Sequence, residues 1–222
     1  MVLGFGYLYP AGGALPVSDA VPSVQSVDFD APVAEAFPVA AVITVQEVDR
    51  AIEEAAVEQA VVELLDQAVA FIEPFEGRCY RAYRDSRGHM TIGVGFNLDR
   101  AGAEEDIELL LPGVNYRALR RGELTLTDTQ IDTLLRHDAQ RAIDTARRQV
   151  DGFDELPHDA QLIVIDMTYN TGSLHKWRKL RAALARQDYA SAADAMHRSL
   201  WRKQTGRRAK AHIQMMRDIS DS

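Results

Sequence analysis

Between Val45 and Phe71 the apolar positions Val45, Val48, Ile52, Ala55, Ala56, Ala60, Leu64, Ala68 and Phe71 recur at roughly helical spacing, interrupted only by the polar Gln59. Thr44, followed at the third position by Glu47, supplies a capping-box pattern at the start. The pattern predicts one long helix, or two with a break, from 45 to about 75. Its apolar side packs inward and its polar face carries Glu53, Glu54, Glu58, Glu63 and Asp66. Pro74 has no N–H for the carbonyl four residues back, so the last turn is expected to loosen. Gly77 then lets the chain leave the helix, which places Glu76 at its negative end.

Beyond Cys79 the period changes. Tyr80, Ala82, Ile92, Val94 and Phe96 alternate with polar residues in two short arms separated by the turn Asp85, Ser86, Arg87, Gly88. This predicts a small antiparallel hairpin, with a third short strand after Asn97, too small to stand alone and therefore packed on the helix that ends at Glu76. Residues 99 to 123 read as one or two short helices divided by Pro112 and Gly113. Thr127 and Gln130 form a second capping box and open an amphipathic helix through about Val150. Pro157 begins a further helix whose run LIVIDM reads as buried, ending between Asn170 and Gly172. Helices over 174 to 186, 189 to 199 and 206 to 219 complete the chain, with Trp177, Leu180, Leu184, Tyr189, Ala193, Met196, Leu200 and Trp201 as core candidates. The fold class is α+β, mainly α. A front lobe spans about 68 to 125, a linking helix about 127 to 150, and a helical lobe about 151 to 222.

The first 44 residues change the picture. They are rich in Ala, Val, Pro and Gly, without sustained period, and read as turns and short extended pieces. A linker, a leader, or a segment that docks on a larger assembly all fit that composition. Residues 1 to 70 carry one basic side chain, Arg50, and eleven acidic ones, whereas residues 71 to 222 carry 24 basic and 22 acidic. The net charge of -8 thus belongs to the front of the chain. The mildly basic remainder is compatible with an acidic polymer such as cell wall, or with an ordinary solvated surface. The single cysteine, Cys79, rules out an internal disulfide framework. No apolar run approaches a membrane span, and no positive region precedes a compact apolar core, so neither membrane insertion nor a standard secretion signal is expected.

The chemistry concentrates at residues 71 to 95. A carboxyl group at a helix end, Glu76, faces a carboxylate in a hairpin turn, Asp85, and a hydroxyl opening the next strand, Thr91. Such a pair can protonate a glycosidic oxygen while a water attacks the anomeric carbon. The helix terminus and partial burial would both favour a protonated Glu76, and an adjacent arginine would oppose them. The glycines of TIGVG lack the lysine and the strand-then-helix context of a phosphate loop. His89 has no partners at ligand spacing, so no metal and no cofactor is expected.

The stretch Phe75 to Gly95, with its Glu-Gly, its aspartate nine residues after the glutamate, and Thr91 six residues later in TIGVG, resembles the active-site region of phage-type lysozymes of glycoside hydrolase family 24. SLWRKQTGRRAKAHIQMMR is similar to that family's segment with Trp, Gln-Thr and Asn-Arg-Ala. The resemblance covers roughly 68 to 219 and fits 99 to 123 loosely. It implies a muramidase with Glu76 as acid, Asp85 and Thr91 handling the water, an inverting outcome, and bacterial peptidoglycan as the macromolecular partner of a monomeric enzyme. It also implies that Arg208 approaches Glu76, that Asn170 is a polar cleft residue, and that Gln204 and Thr205 support the site. Phe96 and Asn97 depart from the T-even enzyme, which has His and Leu there, so the front-lobe floor is expected to be rearranged. A lytic transglycosylase and a non-catalytic wall-binding or structural module are the competing readings. No nucleic-acid partner is expected. Such an enzyme would wait in the host cytoplasm before release to the wall, or be delivered as an effector.

Overall fold

The computed structural model describes residues 44 to 221, and the turns and extended pieces expected over the first 43 residues lie outside them. The first helix, α1, runs unbroken over Val45–Glu76, so Pro74 is accommodated in its last turn and Glu76 is its final residue. Gly77, at φ 74°, takes the left-handed conformation that stops it.

The inward face of α1 is not the one the full repeat predicts. Leu64, Ala68 and Ile72 are buried at i, i+4 and i+8, and they pack the second half of α1 on the helices α4 and α5 described below. At about 100° per residue, Val48 and Ile52 point about 160° away from Ala68. They are correspondingly exposed, with Val45 at 75% and Ile52 at 62%. The apolar stripe changes sides along the helix, and only its second half meets the core.

Three strands follow, β1 (Cys79–Arg84), β2 (Met90–Gly93) and β3 (Phe96–Asn97), in one antiparallel sheet of order β1-β2-β3. The third strand contains Phe96 and Asn97 rather than following them. A tight turn at Val94 and Gly95 reverses the chain earlier than the alternation suggested. Thr91 on the central strand pairs with Tyr83 and with Asn97, while Ile92 turns to the core. Asp99 locks the sheet from outside: it accepts the Met90 N–H at 2.8 Å and Arg120 Nε at 2.8 Å.

The region from 99 to 123 forms two helices, α2 (Ala103–Leu110) and α3 (Tyr116–Arg120), the latter capped by Asn115, whose Oδ1 accepts the Ala118 N–H. The linking helix α4 (Asp128–Gln149) starts from the expected reciprocal cap between Thr127 and Gln130. After a 3-10 turn at Phe153–Glu155 comes α5 (His158–Thr171), buried continuously from Leu162 to Thr168. The last lobe holds α6 (Arg178–Leu184), α7 (Tyr189–His197), α8 (Leu200–Thr205) and α9 (Arg207–Ser220). The short α8 was not resolved by the periodicity. Ser199 caps it, Gly206 separates it from α9, and its first residue Leu200 is 67% exposed rather than in the core. Trp201, the next residue, is buried against Trp177 with ring centroids 6.0 Å apart. Among the described residues no helix is long and apolar enough to cross a membrane.

Candidate active site

A cleft of about 380 Å³ opens between the sheet and the helices. Asp85, Thr91, Gly95 and Asn97 line it from the sheet, and Asp138 and Asn170 from α4 and α5. Three of the polar groups expected near the chemistry, Asp85, Thr91 and Asn170, therefore share one cavity.

Glu76 is not among the residues that line the cleft; its carboxyl lies behind Gly95, which does. A Cβ built on Gly95 would lie 3.6 Å from Glu76 Oε2 and 3.8 Å from the ring of Tyr169. Gly95 has φ 91°, which L side chains rarely adopt, so glycine supplies both the turn and the close approach of the carboxyl. The Tyr169 hydroxyl donates to the Val94 carbonyl, fastening α5 to the same turn. Burial raises the Tyr169 hydroxyl well above its ordinary value, so it remains a donor.

Arg208, 132 positions away in the chain, hydrogen-bonds Glu76 through Nη1. Its Nε and Nη2 donate to Asp166 at 2.7 and 2.5 Å, and Asp166 also contacts His212 Nε2. Arg208, Asp166 and His212 are buried, while the Glu76 side chain keeps 20% of its exposure. Phe75 stacks under the guanidinium, 5.4 Å from its centre.

Asp85 is held by entirely different means. Its Oδ1 accepts the backbone N–H groups of Arg87 and His89, both at 2.8 Å, while its own N–H donates to the His89 carbonyl at 2.9 Å. Burial alone would raise the Asp85 carboxyl, but those backbone N–H groups, with the nearby His89 and Arg87 charges, outweigh it and hold the group below the usual carboxylate range. Thr91 is buried beside it and donates to the His89 carbonyl at 3.3 Å. One five-residue loop thus fixes both the carboxylate and the hydroxyl.

The departure noted above falls at β3. Phe96 is buried in the core, and the Arg100 guanidinium lies over its ring at 4.2 Å. Arg100 also donates to Asp138 at 2.7 Å and to Asp106 at 2.8 Å, tying the sheet region to α4. Burial raises the Asp138 carboxyl, with Arg100 opposing the shift. Asn97 faces the cleft, and its Oδ1 accepts the Asp99 N–H.

Asn170 lines the cleft with its Oδ1 on Trp201 Nε1 at 2.9 Å. Gln204 is exposed on α8, and Thr205 donates back to the Trp201 carbonyl at 2.9 Å; neither lines the cleft. Asp166, His212, Arg100, Asp138 and Tyr169 were missed. For Asp166 a signal existed, because an aspartate inside LIVIDM must find a partner if that helix is buried. Arg208 and His212 offer one at i and i+4 on α9.

No curated protein matches the chain. The family model described as Phage lysozyme matches residues 73–217, which contain Glu76, the hairpin and Arg208. With about two thirds of its length inside that match, the chain belongs to the phage lysozyme family, whose general activity is peptidoglycan hydrolysis.

Proposed function

We propose that the protein is a muramidase that hydrolyses the β-1,4 bond between N-acetylmuramic acid and N-acetylglucosamine in peptidoglycan, with inversion at the anomeric carbon. The observation that carries this reading is the contrast between two carboxyl groups, one lining the cleft and one set behind Gly95 beside it. Both are half-buried, but the one behind Gly95 is bonded to a buried arginine and the other is held below the usual carboxylate range by backbone N–H groups. Glu76 donates its proton to the leaving glycosidic oxygen as the C–O bond breaks. A water on the opposite face attacks the anomeric carbon and gives its proton to Asp85, and solvent exchange restores both groups. Thr91, buried beside Asp85, positions that water. Arg208 stabilises the Glu76 carboxylate that appears once the proton has gone.

Mass spectrometry and NMR of purified peptidoglycan digested by the full chain test this directly. Reducing muramic acid ends, formed first as the α-anomer, are expected. Glu76→Gln should slow turnover by about 10²- to 10⁴-fold, the usual contribution of a positioned general acid. A loss no greater than about 10-fold would sink the assignment of Glu76. Accumulation of anhydro ends, with Asp85→Asn still active, would instead make the protein a transglycosylase.

A further inference from the structure

The mechanism above uses Glu76 and Arg208 and leaves two buried ionisable groups behind them without a task. Asp166 stands in the middle of α5 and His212 on α9, both with no exposed surface. Asp166 takes two N–H bonds from Arg208, a bidentate grip that leaves only Nη1 of the guanidinium for Glu76. His212 Nε2 contacts the same Asp166 oxygen that accepts Arg208 Nε. A carboxylate only accepts, so Nε2 carries the hydrogen in this contact. The other ring nitrogen, Nδ1, has no hydrogen-bond partner among the described residues, and Phe71, Phe75 and Trp201 surround the ring at centroid distances of 5.1, 5.1 and 6.0 Å. His212 therefore holds Asp166 as a donor through Nε2.

An arginine beside a proton donor creates a conflict. Its charge favours the carboxylate, whereas the donor must hold its proton until substrate is in place. We propose that Asp166 and His212 are positioning residues that resolve this conflict: Asp166 offsets and aims Arg208, and His212 fixes Asp166. Glu76 then receives a guanidinium hydrogen bond without the full positive charge behind it. The inference rests on Glu76 being the proton donor. The charged and titratable groups facing Glu76 are Arg208 from α9, Tyr169 from α5 and Tyr83 from β1; Asp166 faces the far side of Arg208, and Asp138 of α4 acts on Tyr169.

Asp166→Asn keeps the shape and removes the charge. In the full chain, two readouts are measured: the pH dependence of kcat/KM on purified peptidoglycan, and the titration of the Glu76 side-chain carboxyl by ¹³C NMR, assigned with Glu76→Gln. Both the alkaline limb and the Glu76 midpoint are expected to move to lower pH by about one unit or more, the usual effect of an uncompensated opposite charge. His212→Leu should move them in the same direction by less, and His212→Gln, which keeps a side-chain N–H donor for Asp166, should restore them. An unmoved midpoint in Asp166→Asn, or a uniform loss of rate at every pH, would overturn the proposal in favour of a purely structural pair. If Asp166→Asn does not fold, the two His212 variants decide, and identical midpoints in them overturn it equally. A wild-type protein that leaves peptidoglycan intact would defeat the hydrolase reading, while the NMR midpoints still judge the pair.

Discussion

The two walls of the cleft hold the same functional group by opposite strategies. Glu76 depends on side chains drawn from three helices, with α1 supplying the acid, α9 the arginine and α5 the aspartate behind it. Asp85 depends on the backbone of its own loop, within four residues of itself. Long-range side-chain clusters exist only once the core is packed, and each member left alone becomes a buried charge. Local backbone donors need no distant partner and tolerate changes in the side chains that carry them. The difference suits the proposed roles. The donor needs an environment that water and salt do not level, whereas the base needs to stay ionised beside solvent.

The strongest way to break the Glu76 wall is to remove its hub. Arg208→Ala leaves Asp166 buried with only His212, and leaves Glu76 without a guanidinium partner. A loss of about 3 to 5 kcal/mol is expected in urea unfolding, the range for stripping one partner from a buried ion pair. A loss below about 1 kcal/mol, the level of a surface pair, would show that the cluster is solvated and that the contrast between the walls is weaker than drawn.

Gly95→Ala probes the same wall through the backbone. At φ 91° an alanine is strained, and its Cβ would come within ordinary contact of Glu76 Oε2 and Tyr169 without a clash. The expected cost is about 1 to 3 kcal/mol, from the conformation alone, read as a lower urea midpoint. The acid limb of the pH–rate profile, which reports the Asp85 wall, should not move. A shifted acid limb would show that the β2–β3 turn couples the two walls.

This division also explains which parts of the site were legible in the sequence. The hairpin carboxylate and hydroxyl are local, so turn residues and alternation placed Asp85 and Thr91, and the same local rules placed α1, α4 and α5. The Glu76 cluster was only half visible. The similarity of the C-terminal segment pointed to Arg208, but Asp166 and His212 sit in patterns that read as helix interior, and nothing local pairs residues on different helices. The exposed first half of α1 failed for a related reason. Val45, Val48 and Ile52 satisfy the helical period, but the face that is buried is decided by where α4 and α5 stand, and the residues buried there are Leu64, Ala68 and Ile72. The third strand and α8 are two and six residues long, too short for any period to register.

The smallest expected effect is the sharpest check on the Asp85 wall. Because the folded Asp85 is held below its ordinary value, it contributes stability that is fully present above about pH 4, the ordinary carboxylate value, and is lost as pH falls through the lowered one. In the reaction, the same shift keeps the base ionised further into acid. Arg87 reaches Asp85 through its backbone N–H, with its side-chain charge a later and smaller influence. Arg87→Ala therefore retains the hydrogen bond, and unfolding should change by no more than about 0.5 kcal/mol, as for an exposed side chain. The acid limb of its pH–rate profile should move up by a few tenths of a unit at most. Arg87→Pro removes the N–H itself and should raise the Asp85 midpoint clearly further, as followed by ¹³C NMR of the aspartate carboxyl. If alanine and proline shift it equally, the side-chain charge rather than the loop backbone holds Asp85 ionised, and the two walls are built on the same principle after all.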